Sequence, residues 1–372
     1  MLADIETGLV YRNPKPHVVS RHGYFPSVVA LPDGTLVALY VLGQAFESTD
    51  LHVYVTRSED GGRSWQPPAR LLPPTPERLT TDAARLTALA DGRLVAVVVR
   101  HDRSEHPEEG LANPQTLGFV PVEILLTWSE NGGRSWSDPE CVEPPMEGPA
   151  FELCAPITVL DDGRWLWPTS TWRDWHGRLP NGNRTGAMVS DDGGRSWPRW
   201  MDAMTTSGGH LIFWESKIVQ LPDRRLLAVA WCYDEQARRD RPNHFSVSGN
   251  GGADWTTPAS MGLSGQTMTP LVLDDGRVLC FYRRTDRPGL WANLGRLDGD
   301  RWVNLDAEPL WGHQTAAGRT VTGENMVENF HALKFGAPSA LTLPDGRHMV
   351  VFWCYEDGVS VIRWYTFRIG DR

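Results

Sequence analysis

The chain has 372 residues, with 36 Lys and Arg against 46 Asp and Glu, for a formal net charge of −10. That balance argues against nucleic acid or an anionic membrane as the main partner. The five cysteines are widely spaced and lack metal-site spacing, and no apolar run reaches membrane-spanning length.

In chain order, the start Met1-Leu2-Ala3-Asp4-Ile5-Glu6 has neither the basic flank nor the apolar segment of a secretory leader, so a cytoplasmic protein is expected. Reduced, buried thiols are expected at Cys154, Cys232, Cys280 and Cys354, which lie in or beside apolar runs. Residues 5–11 are expected to supply an extra strand. Six short apolar runs then lead into turns built on Asp, over 27–34, 86–92, 157–163, 217–223, 270–276 and 339–346. A second apolar run follows each turn, as at 36–42, 94–99 and 348–355, which is the pattern of a hairpin buried on both faces. Local propensity at 76–89 suggests a helix, but the repeat places a strand there.

Interleaved with these hairpins is a second repeat, Ser58-Glu59-Asp60-Gly61-Gly62-Arg63-Ser64-Trp65. It returns at 129–136 and 190–197, more weakly at 248–255, and in degenerate form at 297–302. Each copy reads as a tight turn in which Asp or Asn and the glycines take positive φ and the Trp packs back over the turn. Residues 359–368 read as an exposed edge strand. Together the two repeats give six units of four strands, hence an all-β, six-bladed β-propeller with four-stranded antiparallel blades, forming one domain over residues 1–372.

The short, stereotyped turns are expected to be structural, and the long loops at the opposite strand ends to carry function. Those loops hold Arg21, His22, Tyr24, Glu47 and Asp50 in blade one, and Asp82, Arg85 and the 101–109 cluster in blade two. Blade three adds Glu152 and Trp172, and blade four His210, Trp214 and Glu215. Arg283 and Arg284 come from blade five, and Arg319, Glu324, His331, Tyr355 and Glu356 from blade six. No spacing within 101–109 matches a metal-site pattern, so no metal and no cofactor is expected.

With these motifs in place the chain resembles the sialidase superfamily, the Asp-box or BNR-repeat proteins, over nearly its whole length. The resemblance implies an acid/base aspartate at Asp50, in Ser48-Thr49-Asp50, with Glu47 beside it. It implies a glutamate at Glu215, in Trp214-Glu215-Ser216-Lys217, and a closing Tyr355-Glu356 pair. It also implies three arginines and a tyrosine nucleophile. Here Tyr24 and Trp231 stand where two of the arginines belong, Arg319 is the candidate for the third, and Pro338 takes the place of the nucleophile. Recognition of a sialic-acid carboxylate by three bidentate arginines is therefore not expected.

Three functions remain open at this stage. The first is an exo-acting glycoside hydrolase of sialidase-like type on a small acidic or polar glycoside. Asp50 and Glu215 would be its carboxylate pair, Arg21, Arg85, Arg283 and Arg284 its cations, and Trp172, Trp214 and Trp231 its stacking rings. The second is a uronic-acid lyase with a base drawn from His22, Tyr24, His210 and His331. The third is a non-catalytic sugar-binding propeller. Neither nucleic acid nor membrane is expected as a partner.

Overall fold

A computed structural model describes residues 1–147, 150–153, 155–206, 209–315, 318–320 and 326–370. The expected Cys154 and Glu324 lie outside the described residues. The architecture is a six-bladed β-propeller of four-stranded antiparallel blades. Blade one comprises His22–Ala30, Leu36–Gly43, His52–Ser58 and Ala69–Arg70; blade two comprises Thr80–Ala88, Leu94–Asp102, Val122–Ser129 and Glu140–Cys141. In blade three the first strand is split into Ala150–Phe151 and Thr158–Val159, both paired with Trp165–Trp172, and Thr185–Ser190 and Arg199–Asp202 follow. Blade four is Leu211–Gln220, Leu226–Asp234, Arg239–Ser248 and Ala259–Ser260; blade five is Gly265–Val272, Val278–Arg284, Leu290–Asp298 and Arg301–Trp311. Blade six is Phe335–Thr342, His348–Glu356 and Val359–Ile369, completed by Leu2–Tyr11 from the other end of the chain. A short helix spans Met326–Ala332.

The contacts gather into two compact units. One holds Leu2–Asn113, Val120–Val142 and Lys334–Arg372, that is, blades six, one and two. The other holds Met1, Pro114–Phe119 and Glu143–Leu333, that is, blades three, four and five. Each is described by itself below.

The second strand of each blade explains the core. Leu36–Gly43 and Trp165–Trp172 are buried at every position, as are the first seven residues of Leu94–Asp102. Such runs carry no polar face because both sides of the strand are covered. The Asp turns that feed them share one geometry. In blade one Leu31 N donates to Thr35 O at 2.8 Å, Thr35 N donates to Asp33 Oδ1 at 2.9 Å, and Gly34 takes φ 84°. Five of the six turns have glycine at that position. Blade four has Arg224, forced to φ 68°, a conformation that costs a side-chain-bearing residue about 1–2 kcal/mol.

The Trp-bearing turns differ from the expectation in one respect. Positive φ is confined to the glycines, such as Gly61 at 73° and Gly62 at 91°. Asp60 acts instead as an acceptor: Oδ1 takes Ser58 Oγ at 2.8 Å and Ser64 N at 2.9 Å, and Oδ2 takes Ser64 Oγ at 2.6 Å. These bonds, those from Ser64 foremost, hold the Asp60 carboxyl down at about 2. Trp65 Nε1 then donates to Gly62 O, which lays the indole over the turn.

Residues 80–88 form a strand, as the repeat register required. The 359–368 run is not an exposed edge: Val359–Ile369 pairs with His348–Glu356 on one side and Leu2–Tyr11 on the other. Cys232, Cys280 and Cys354 are buried free thiols, and burial pushes Cys232 up to about 12; Cys141 is exposed.

Candidate functional site

The first strands of blades one, four, five and six share a bulge that the sequence reading did not find. Pairing with the second strand skips between Tyr24 and Ser27, Trp214 and Lys217, Gln266 and Thr269, and Gly336 and Ser339. The first skipped residue has positive φ each time: Phe25 51°, Glu215 51°, Thr267 52° and Ala337 47°. Blade two pairs without interruption. A bulge re-aims a side chain, and a left-handed residue that is not glycine persists only when its surroundings enforce it. The signal was in the repeat itself, since Tyr24, Trp214, Gln266 and Gly336 are equivalent positions.

In the unit of blades three to five the bulge carries Glu215. Glu215 N donates to Glu152 Oε2 at 2.9 Å, and Ser170 Oγ donates to the same oxygen at 2.5 Å. Lys217 Nζ donates to Glu215 O at 3.1 Å. Glu152 thus holds the bulge from the neighbouring blade. Beyond it lies Arg283, 3 % exposed, whose Nε and Nη2 both donate to Gln266 Oε1, at 3.0 and 2.7 Å. Burial lowers Arg283 to about 10, against the opposing charges of Glu215 and Asp240. Asp240 in turn accepts from Gln266 Nε2 at 2.7 Å and Trp231 Nε1 at 2.8 Å; burial raises its carboxyl above the usual range despite these bonds. Gln266 and Asp240 were not among the expected site residues.

The tryptophans expected to stack on sugar rings are packed on protein. Trp172 is 4 % and Trp214 8 % exposed. Trp214 meets Trp172 edge-on at 5.3 Å, meets Trp231 at 4.9 Å and stacks on Tyr233 at 5.2 Å, while Trp172 Nε1 donates to Leu117 O. The rings cover one another rather than forming an open platform. Arg284 is engaged locally, in a two-bond pair with Asp286 and over the face of Trp291 at 4.4 Å. His210 and Arg319 are exposed, as is His331 at the end of the short helix.

In the unit of blades six, one and two the equivalent bulge is aromatic. Tyr24, the residue before it, is fully buried among Phe25, Phe46, Trp353 and Tyr355, with ring centroids 5.2 to 6.5 Å away. Its hydroxyl lies 2.8 Å from that of Tyr355. Burial first, and then this bond, push the Tyr24 hydroxyl far up, so it keeps its proton and does not fit the expected role of base. His22 Nδ1 accepts from Ser360 N at 3.0 Å, and burial lowers its pKa, which favours the neutral ring. Arg85, 9 % exposed, donates to Phe25 O at 3.3 Å and Ala84 O at 3.0 Å, beneath the bulge.

Asp50 and Glu47 organise loops. Asp50 is exposed, and its Oδ1 accepts from Ser48 Oγ at 2.6 Å and Gln44 N at 3.0 Å. Glu47 Oε1 accepts from Leu111 N, and buried Arg103 donates to Glu47 O and Glu109 O. Arg103 is thus the centre of the 101–109 cluster. No group of residues that could hold a metal ion occurs among the described residues. Glu356 takes two bonds from Arg363, at 2.5 and 2.8 Å, so it serves blade six internally. Arg21 is exposed. Blade two also holds buried Asp82, which accepts from Arg100 Nε at 2.8 Å and pairs with His52 Nδ1 at 3.2 Å. Those partners outweigh burial and leave its pKa lowered.

Solved structures share this arrangement of blades. A NanB sialidase mutant from Streptococcus pneumoniae matches with a TM-score of 0.66 at 12% identity, over 97% of this chain and 70% of that one. The fold is the sialidase-like propeller. The intramolecular trans-sialidase of Ruminococcus gnavus matches with a TM-score of 0.60 at 14% identity, over 94% of both chains. A protein of unknown function from Dyadobacter fermentans matches with a TM-score of 0.71 at 21% identity, over 98% of this chain and 99% of that one. No protein-family model matches the sialidase-like chain, and no curated protein does.

Proposed function

We propose that this sialidase-like propeller is an exo-acting glycoside hydrolase on a small acidic or otherwise polar glycoside. The observation that carries the reading is Glu215: a carboxylate on a left-handed bulge residue, gripped through its N–H by Glu152 and neighboured by the buried charge of Arg283. Strain of that kind concentrates where a side chain must be presented in one orientation. Glycosidic cleavage uses one carboxyl group as acid and a second as base or nucleophile. Glu215 takes one of these roles, and the sequence resemblance assigns the other to Asp50. With Tyr24 and Trp231 in place of two arginines, the substrate is a polar glycoside other than a sialoside.

The test is a panel of oligosaccharides, with sialosides and uronic-acid glycosides included, read for reducing sugar and ultraviolet absorbance together. Reducing sugar without absorbance, lost in Glu215→Ala and Asp50→Ala, is the expected result. Absorbance rising with cleavage would move the assignment to a lyase. Release of sialic acid would overturn the substrate class, and binding without turnover would overturn the enzyme.

A further inference from the structure

The polar network around Arg283 is ordered by a constraint of donors and acceptors, and its origin is Asp240. The amide of Gln266 has one accepting end and one donating end. An ionised carboxylate only accepts, and a guanidinium only donates. Asp240 Oδ1 takes the indole N–H of Trp231 and Oδ2 takes Gln266 Nε2. The amide is therefore compelled to turn Oε1 toward Arg283, where it receives both Nε and Nη2. Gln266 and Arg283 are also directly opposed across the first two strands of blade five, so the contact is short and has one geometry.

Resting on the hydrolase reading, we propose that Asp240 is a positioning residue for the reaction, setting the orientation of Arg283 beside Glu215 through the Gln266 amide. Asp240 need not touch substrate. It decides which end of Gln266 faces the guanidinium, and so how that guanidinium is held. The amide anchors Nε and Nη2 without adding a formal charge at that contact. Trp231, standing where the sialidase resemblance implies an arginine, supplies one of the two donors that anchor Asp240.

The constraint can be inverted. In Asp240→Asn one acceptor becomes a donor, so either Trp231 or Gln266 faces a donor, and turning the Gln266 amide only moves the conflict to Arg283. In Asp240→Asn/Gln266→Glu the complement is restored with the same net charge. The introduced glutamate accepts from Arg283 and from the amide of the introduced asparagine, and that asparagine still accepts from Trp231. The experiment measures hydrogen exchange of the Arg283 Nε–H by nuclear magnetic resonance in the full chain, alongside kcat/KM on whichever panel substrate is cleaved. Expected are at least about tenfold faster exchange and at least about tenfold lower kcat/KM in Asp240→Asn, the size of one lost buried hydrogen bond to a charged group. The double variant is expected to recover slow exchange and to regain part of the turnover. Unchanged Nε–H exchange in Asp240→Asn, or a double variant as impaired as that single one, would overturn the proposal. If the parent protein cleaves nothing, the hydrolase reading falls, while the exchange comparison still decides whether Asp240 orients Arg283.

Discussion

Asp82 in blade two and Asp240 in blade four look alike in outline. Each is a carboxylate withdrawn from solvent with two side chains bonded to it. Asp82 faces Arg100 and His52, and its pKa is lowered; Asp240 faces an indole and an amide, and its pKa is raised. Burial pushes both upward, so the difference lies in the partners. A cationic partner fixes the charge and makes the group structural. Neutral donors leave the carboxyl tunable and pass its influence to the next residue. The first arrangement welds a blade, and the second is the one we propose equips a site.

The largest effect that would break this contrast concerns Glu215. Glu215→Gln is expected to lower kcat by roughly 10³-fold, within the range of general acid–base contributions, with little change in the urea midpoint. A change in stability instead of turnover would place Glu215 with the structural carboxylates. Asp82→Ala is expected to do the reverse, costing about 3–5 kcal/mol in urea denaturation because Arg100 is left buried without its carboxylate, while the Arg283 Nε–H signal stays in place. Glu152→Ala removes the acceptor of the Glu215 N–H, for about 1–3 kcal/mol, and should speed exchange of that amide. Glu152→Gln, which keeps an acceptor, should restore most of the protection.

Acid titration sharpens the same contrast. For Asp82 the folded-state pKa lies below the unfolded one of roughly 3.9. Its contribution is therefore complete above that value and is lost as pH falls through the folded pKa. For Asp240 the folded pKa is raised, so its contribution is complete below the unfolded pKa and is lost as pH rises through the folded value. Asp82→Asn should flatten the loss of stability below about pH 4, whereas Asp240→Asn should remove a loss of stability that sets in as pH rises above about 4. The smallest expected effect is a gain: Arg224→Gly relieves the left-handed turn residue and should add about 1 kcal/mol. That gain touches neither carboxylate and gives a background in which Asp82→Ala is easier to measure.

The fold was legible because it is written in repeated local chemistry. The Asp turns and the Trp-bearing turns impose geometry within a few residues, and even the strand at 80–88 follows from their spacing. The site was legible only in part. Glu215 and Arg283 were expected from residue type and position, and the structure places both in the unit of blades three to five; Glu152, expected as a substrate contact, is placed as the acceptor of the Glu215 N–H. Trp172 and Trp214 were misread because an indole at a strand end is the same letter whether its face is open or covered by another ring. Asp240 and Gln266 were missed because their importance lies in which atom faces which partner, and that is decided between strands distant in sequence. The bulges were accessible in principle from aligning Tyr24 with Trp214, Gln266 and Gly336, although their positive φ falls on residues with no sequence mark for it.

Blade six is sewn from two ends of the chain: Leu2 pairs with Ile369, and the ladder continues to Tyr11 beside Ile362. The two strands must find each other across a very long stretch of chain, and until they do their ladder groups are open to any other edge. Closing that ladder needs contacts of very long sequence separation, a slow kind of step to form. A permuted gene that joins residue 369 to residue 2 through a short turn segment would make that closure a local hairpin and should shorten the interval in which unpaired edges can meet one another.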